Sequence, residues 1–298
     1  MMLPIECRTP DRPVWITSPF VSLLLVLGTL VACQAPNKPP PAPAVKVAVS
    51  PPPATGAAAA NARVPAVVSV PFEPFTRADA VAIAQREWRL FGQPVDDDPP
   101  DSRPPLPPER MPERMPGLWE RVGEYYWEGL DPGLRESAWT GMHDENGTIF
   151  DSHRDSDFAW SAAFISYVMR IAGAGPRFPY ASSHSTYINA AVRGEAPVLR
   201  AHPINGYAPR TGDIICAGRD QSARLRFARL PAPPFPSHCD LVVSDAPGTL
   251  TVIGGNVDDA VTAKHVPVGP DGMLGAARGA PIDSRYAWFV VLEVLYDR

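Results

Sequence analysis

The hydrophobic period of the chain changes once, near residue 200, and that change fixes the class of fold open to it. Before it, apolar residues recur at helical spacing. In "TRADAVAIAQREWRLFG" Thr76 offers an N-cap, Ile83, Trp88 and Phe91 share a face, and Gly92 is a stop signal. "LWERVGEYYWEGL" (residues 118–130), "FAWSAAFISYVMR" (158–170) and "SSHSTYINAAV" (182–192) follow, the last capped by Ser182 or Ser183. After it come "GDIICA", "CDLVVS", "TLTVIGG", "AVTAKHV" and "YAWFVVLEVLY", short β-type runs divided by Gly, Pro and Asp. Helices first and an antiparallel meander afterwards make this an α+β chain.

The opening 33 residues read as an export signal. Arg8 and Arg12 precede an apolar run, "FVSLLLVLGTLVA" at 20–32, which is short for a membrane span and has the length of a signal-peptide core. It ends in "LVAC", which resembles the lipobox of bacterial lipoproteins. That likeness implies lipidation of Cys33 as the mature N-terminus, and Gln34 after it implies sorting to the periplasmic face of the outer membrane. A plain secretory signal or an uncleaved anchor is the alternative. Export removes Cys7 and leaves Cys216 and Cys239, which in an oxidising compartment are expected to form a disulfide. Closing that loop of about 22 residues contributes about 3 kcal/mol in the chain-entropy model. Two separate buried thiols are the alternative.

Most of the 38 prolines lie before residue 120. Residues 34–72 are rich in Pro and Ala, nearly uncharged and without sustained period, so they cannot build a core. At about 3.1 Å per residue they can hold a domain roughly 100 Å from a lipid anchor. Residues 73–117 combine the first helix with an acidic, proline-rich stretch that carries a small "PERM" duplication and is expected to be a solvated loop. Residues 118–298 are the domain proper. A net charge of −5 with mixed signs offers no basic stripe, which argues against nucleic acid as a partner. With no glycine-rich phosphate loop, CxxC pair or HExxH, neither nucleotide, zinc nor any other cofactor is expected. "HDENGTIFDSHRDSD" (143–157) is polar enough for a cation, but its spacing fits no EF-hand loop, so no metal is expected.

Two stretches could carry chemistry. Ser161 opens its helix after "DSD", where Ser156 or Asp157 can cap, and Phe164, Ile165, Val168 and Ala172 share its face. A nucleophile there is backed by unpaired N–H groups and a partial positive charge. A first-turn serine without a role is the plain alternative. In "SHCDLVVSDAPGTLTVIGGN" the turn signal "DAPG" pairs its flanks as a hairpin. If Ser244 and Thr249 close the loop, His238 falls opposite Gly255, and one extra residue or a bulge brings Asn256 beside it. A nucleophile, a base and a group that orients the base are what acyl transfer needs. Cys239 points to the opposite strand face from His238 and is a poor partner for it.

"WSAAFISYVMRIAG", "PRTGDIICAGR", "SHCDLVV" and "VIGGNVDDAV" in this order resemble an uncharacterised bacterial family, domain-of-unknown-function family 2272, over residues 118–298. More distantly they are similar to the papain-like cell-wall amidases and endopeptidases, the CHAP and NlpC-type domains. Those show a "WC" helix start, a "PxxGD" turn into the first strand and a histidine opening the next. The likeness implies a papain-like helix packed on an antiparallel sheet. It places Ser161 at the cysteine position, His238 at the base position and Asn256 at the orienting position. Trp160, His184, Asp213 and Asp240 are candidates for lining the same cleft.

The departure is the nucleophile. A helix N-terminus and an imidazolium can hold a cysteine as thiolate from a starting pKa of about 8.5, but an alcohol must lose its proton to a neutral base during attack. The expectation is therefore an envelope lipoprotein that hydrolyses amide or ester bonds of cell-wall peptide through Ser161, His238 and Asn256. The alternatives are an inactive domain of that fold that binds peptidoglycan or an envelope protein, and a structural lipoprotein of an envelope assembly.

Overall fold

Four helices pack on one six-stranded antiparallel sheet in the computed structural model, which describes residues 74–100, 102–151, 158–277 and 280–297. The export signal, Cys33, the tether and the capping candidates Ser156 and Asp157 lie outside the described residues. The helices are α1 (Arg77–Leu90), α2 (Leu118–Gly129), α3 (Ser161–Ile171) and α4 (His184–Arg193). The strands are β1 (Leu199–His202), β2 (Ile214–Gly218), β3 (Ser237–Ala246), β4 (Thr249–Val257), β5 (Ala260–Pro267), the two-residue β6 (Ala276–Ala277) and β7 (Ala280–Pro281), and β8 (Ala287–Val294). The large sheet runs β1-β8-β2-β3-β4-β5, so the last strand lies between the first two. The fold is α+β, as the change of period predicts. Among the described residues no helix is long and apolar enough to cross a membrane.

Helix α3 is the hub. Every residue from Ser161 to Met169 is buried, because α1 and α2 cover one side and β3 and β4 the other. A helix enclosed all round needs apolar residues all round, and "SAAFISYVM" supplies them. Burying Phe164, Ile165 and Val168 contributes about 1.5–3 kcal/mol each. Thr76 caps α1 by accepting from the Asp79 N–H at 3.1 Å. Between α1 and α2 Arg121 holds the buried Glu87 at 2.6 and 2.7 Å, and the Tyr125 hydroxyl donates to the same carboxylate at 2.9 Å. Burial pushes Glu87 up, but Arg121 outweighs it and holds the carboxyl below its usual range. Phe75, Ala80 and Ala84 share the helix core, so residues 74–90 pack as part of this body rather than as a linker to it.

The sheet separates two apolar clusters. Cys216, Cys239, Leu241 and Ile253 face the helices, while Ile215, Ala217, Val242, Val252 and Trp288 form a smaller cluster on the other side. Cys216 and Cys239 are a register pair of β2 and β3 and are joined by a disulfide. The proline-rich segment is not merely solvated. Val95 bridges Ala263 in parallel, with Asp96 N–H donating to Ala263 O at 2.9 Å and Ala263 N–H to Pro94 O at 3.0 Å, which covers part of the β5 edge.

Candidate functional site

Hairpin geometry sets the site. The β3–β4 turn closes tighter than the expected loop, with Ala246 opposite Thr249, and a bulge between Val242 and Ser244 then shifts the register by one residue. Leu241 consequently pairs with Ile253, one residue further along β4 than the simple hairpin places it. That shift carries Asn256 toward the start of β3, where His238 sits. Two glycines make the crossing feasible. A Cβ on Gly254 would lie 2.0 Å from Asp240 Oδ1 and 2.8 Å from His238 Nε2. One on Gly255 would lie 2.6 Å from Phe164 Cβ and 2.7 Å from the Trp160 ring. The "GG" of "VIGGN" thus leaves room for a polar pair on one face and for the start of α3 on the other.

Ser161 is the first residue of α3 and is 8% exposed; Trp160 before it provides no side-chain cap. Ser161 Oγ lies 2.7 Å from Nε2 of His184, the first residue of α4. One helical turn on, the Tyr187 hydroxyl meets His184 Nδ1. His184 is fully enclosed, and burial, reinforced by the charge on His238, holds its pKa well below the ordinary histidine value.

His238 forms a second chain. Its Nε2 is 2.9 Å from Asp240 Oδ1, two residues along the same strand face. Asp240 Oδ2 is in turn 2.8 Å from the Lys264 ammonium of β5, an ion pair whose angles do not make a hydrogen bond. All three side chains are buried. Burial, with Lys264 adding to it and Asp240 opposing, pushes His238 down to about 4. Burial raises Asp240, but Lys264 and then His238 hold it well below the carboxylate range. Burial likewise outweighs Asp240 at Lys264 and lowers the ammonium's pKa. An ionised Asp240 accepts from His238 Nε2–H, which leaves Nδ1 as an acceptor. The two histidine rings meet edge to face with centroids 5.6 Å apart.

Ser161, His184, His238, Asn256 and Lys264 all line one cleft of about 900 Å³. The proline-rich segment contributes Pro94, Val95, Asp96, Pro100 and Arg103 to its wall, and Arg103 pairs with Asp96 at 2.9 Å and with Asp258 of the β4–β5 turn at 3.2 Å. The structure thus brings Ser161, His238 and Asn256 to one place, but the hydrogen-bond partner of Ser161 is His184 and that of His238 is Asp240. Asn256 lines the cleft with a left-handed backbone, φ 56°, and is not bonded to His238. Trp160 is buried under the site and donates to Glu113 Oε2 at 2.5 Å. Asp213 is outside the lining. It ties the β2 entry together, accepting from the Tyr207 hydroxyl at 3.0 Å, Arg210 N–H at 2.9 Å and Val294 N–H at 3.1 Å. Among the described residues no group of three or more His, Cys, Asp or Glu is placed to hold a metal.

Tyr187, Lys264 and Arg219 are functional neighbours that sequence reasoning misses. Tyr187 was open to detection, since it lies three residues from His184 on one helix face. Lys264 and Arg219 carried no local signal, because sheet pairing alone brings them to the cleft.

Residues 113–294 match the model of a family described as "Uncharacterized protein conserved in bacteria (DUF2272)". Comparison with curated proteins and with solved structures gives no match.

Proposed function

The chain belongs to the DUF2272 family of uncharacterised bacterial proteins, and from that premise we propose that it is a hydrolase of amide or ester bonds in which Ser161 is the nucleophile and His184 the base. The observation that carries this reading is the 2.7 Å hydrogen bond from Ser161 Oγ to a histidine kept neutral by burial. An alcohol needs a neutral base in contact, and His184 meets that need where the paired His238 does not. In the working tautomer His184 Nδ1–H donates to the Tyr187 oxygen and Nε2 accepts the serine proton. Ser161 Oγ adds to the carbonyl carbon, and the oxyanion faces the N–H groups at the start of α3. His184 then gives the proton to the leaving nitrogen or oxygen as the carbonyl bond to it breaks. Water repeats the sequence on the acyl-serine, releasing the acid and restoring Ser161. His238, with a bare Nδ1 fixed by Asp240, is an acceptor for a substrate N–H, and Asn256 offers a further polar contact.

The substrate class in this reading is cell-wall peptide, and the location is the periplasmic face of the outer membrane through lipid on Cys33. Both rest on the export signal, the "LVAC" lipobox and the likeness to papain-like cell-wall amidases. A nucleophile-bearing helix packed on an antiparallel sheet is the arrangement that likeness implies.

The test is labelling with a fluorophosphonate followed by incubation with muropeptides. Stoichiometric labelling that disappears in Ser161→Ala and falls at least a hundredfold in rate in His184→Gln supports the reading. Absence of both labelling and cleavage by the wild type overturns it.

A further inference from the structure

The cations of the cleft are not equally occupied. Arg103 is held by Asp96 and Asp258, and Lys264 by Asp240. Arg219 is half-buried in the same lining and, among the described residues, its guanidinium makes no hydrogen bond or ion pair. Its exposed neighbour Asp220 is not paired with it. Ser237 Oγ is buried and, among the described residues, also without a hydrogen-bond partner. The backbones of the two residues adjoin: Gly218 pairs with Ser237 across β2 and β3, and Arg219 N–H donates to Pro236 O at 3.2 Å. Both residues line the cleft that holds Ser161 and His238, Arg219 with an uncompensated guanidinium and Ser237 with a hydroxyl that no described group accepts from.

Donors without acceptors in a partly dry cleft are costly unless a ligand supplies the acceptor. The partner that fits is planar, anionic and bidentate toward guanidinium, with a lone pair left for a hydroxyl: a carboxylate. A neutral or cationic group leaves Arg219 desolvated and unpaired when the cleft fills.

We propose that Arg219 and Ser237 form a carboxylate subsite beside Ser161, so that the substrate carries a free carboxylate close to the bond that is cut. This deepens the hydrolase reading and rests on it for the identity of the cut bond, whereas carboxylate binding itself is measurable without turnover.

Two measurements separate the proposals. The first is calorimetric titration of the Ser161→Ala protein with N-acetylalanine and with N-acetylalaninamide, which differ in the carboxylate. The expected result is at least tenfold tighter binding of the acid, lost in the Ser161→Ala, Arg219→Gln double variant and weakened in Ser161→Ala, Ser237→Ala. Equal binding of acid and amide, or a preference that survives Arg219→Gln, overturns the subsite. The second is hydrolysis of 4-nitrophenyl butyrate against the mono-4-nitrophenyl ester of glutaric acid by otherwise unaltered protein. A preference of tenfold or more in kcat/KM for the acidic ester, which falls to near unity in Arg219→Gln, supports the subsite at the reacting centre. Hydrolysis of both esters at the same rate overturns it there while leaving the hydrolase standing. No hydrolysis of either, with carboxylate binding intact, removes the hydrolase reading alone.

Discussion

Ser161 Oγ and His184 Nε2 are 2.7 Å apart, although the two residues come from the starts of different helices. The contact exists because α3 and α4 both begin at the cleft, so each presents its first residue to the other. His238 reaches the same cleft from a strand and is engaged elsewhere, by Asp240 at 2.9 Å. The two histidines are therefore expected to do different work. In the proposed hydrolase, His184→Gln is expected to remove the base and to lower the rate of acylation of Ser161 by about 10²–10⁴-fold. His238→Gln leaves attack intact and raises KM. Burst kinetics with a nitrophenyl ester separate the two: loss of the burst in the His238 variant and its survival in the His184 variant reverses the assignment.

Replacing Ser161 by cysteine probes the same point from the other side. A thiolate–imidazolium pair needs a histidine more basic than the thiol, and here burial lowers both histidines, His238 to about 4. Ser161→Cys is expected to remain largely a thiol at pH 7. Its alkylation by iodoacetamide should rise with a midpoint at or above the ordinary value of about 8.5. A midpoint below pH 6 would mean that an ion pair forms and that the site is built for sulfur.

Much of this was open to reading in the sequence, for a physical reason. Periods of 3.6 and 2 are local properties, so α1 to α4, the strands β2 to β5 and β8 follow from spacing alone. Short β1, four residues of mixed burial, carries no such signal. That Ser161, His238 and Asn256 share one cleft was legible because Ser161 opens a helix and "SHCD…GGN" folds back on itself. Which atoms touch was not, since a one-residue bulge and the approach of α4 decide it, and both depend on packing between distant segments. Glycine at 254 and 255 marks that packing without saying what the space is for.

Those glycines give a direct test of the packing. Gly254→Ala forces a methyl to 2.0 Å from Asp240 Oδ1, between groups that are buried and already paired. Overpacking of this kind costs about 1–3 kcal/mol, and separating a buried ion pair costs more. The variant is expected to lower the urea midpoint and to disturb the His238 ring signals. Gly255→Ala, which meets Phe164 and Trp160 instead, is expected to destabilise similarly while displacing the start of α3 and slowing Ser161 labelling. Unchanged stability in both variants would show that the hairpin does not approach α3 and Asp240 as described.

The buried histidines also set how stability depends on pH. An unfolded histidine takes up a proton near pH 6.5, whereas His238 in the fold stays neutral until about 4, and His184 is shifted in the same direction. Between those values the unfolded chain binds more protons than the folded one, so stability falls as pH falls. Above pH 6.5 both states are neutral at these positions and the contribution is constant. Across the window His238 alone accounts for a loss on the order of 3 kcal/mol, at 1.36 kcal/mol per pKa unit. Urea midpoints at pH 7.5 and pH 5 measure it: the wild type is expected to lose stability over that interval, and His184→Gln and His238→Gln each to lose less. The Lys264→Met variant removes a charge that depresses His238, so its histidine should titrate higher by NMR and the slope between pH 6.5 and 5 should flatten. A slope unaltered by all three substitutions would place the acid sensitivity elsewhere, and the two histidines in water rather than in the core.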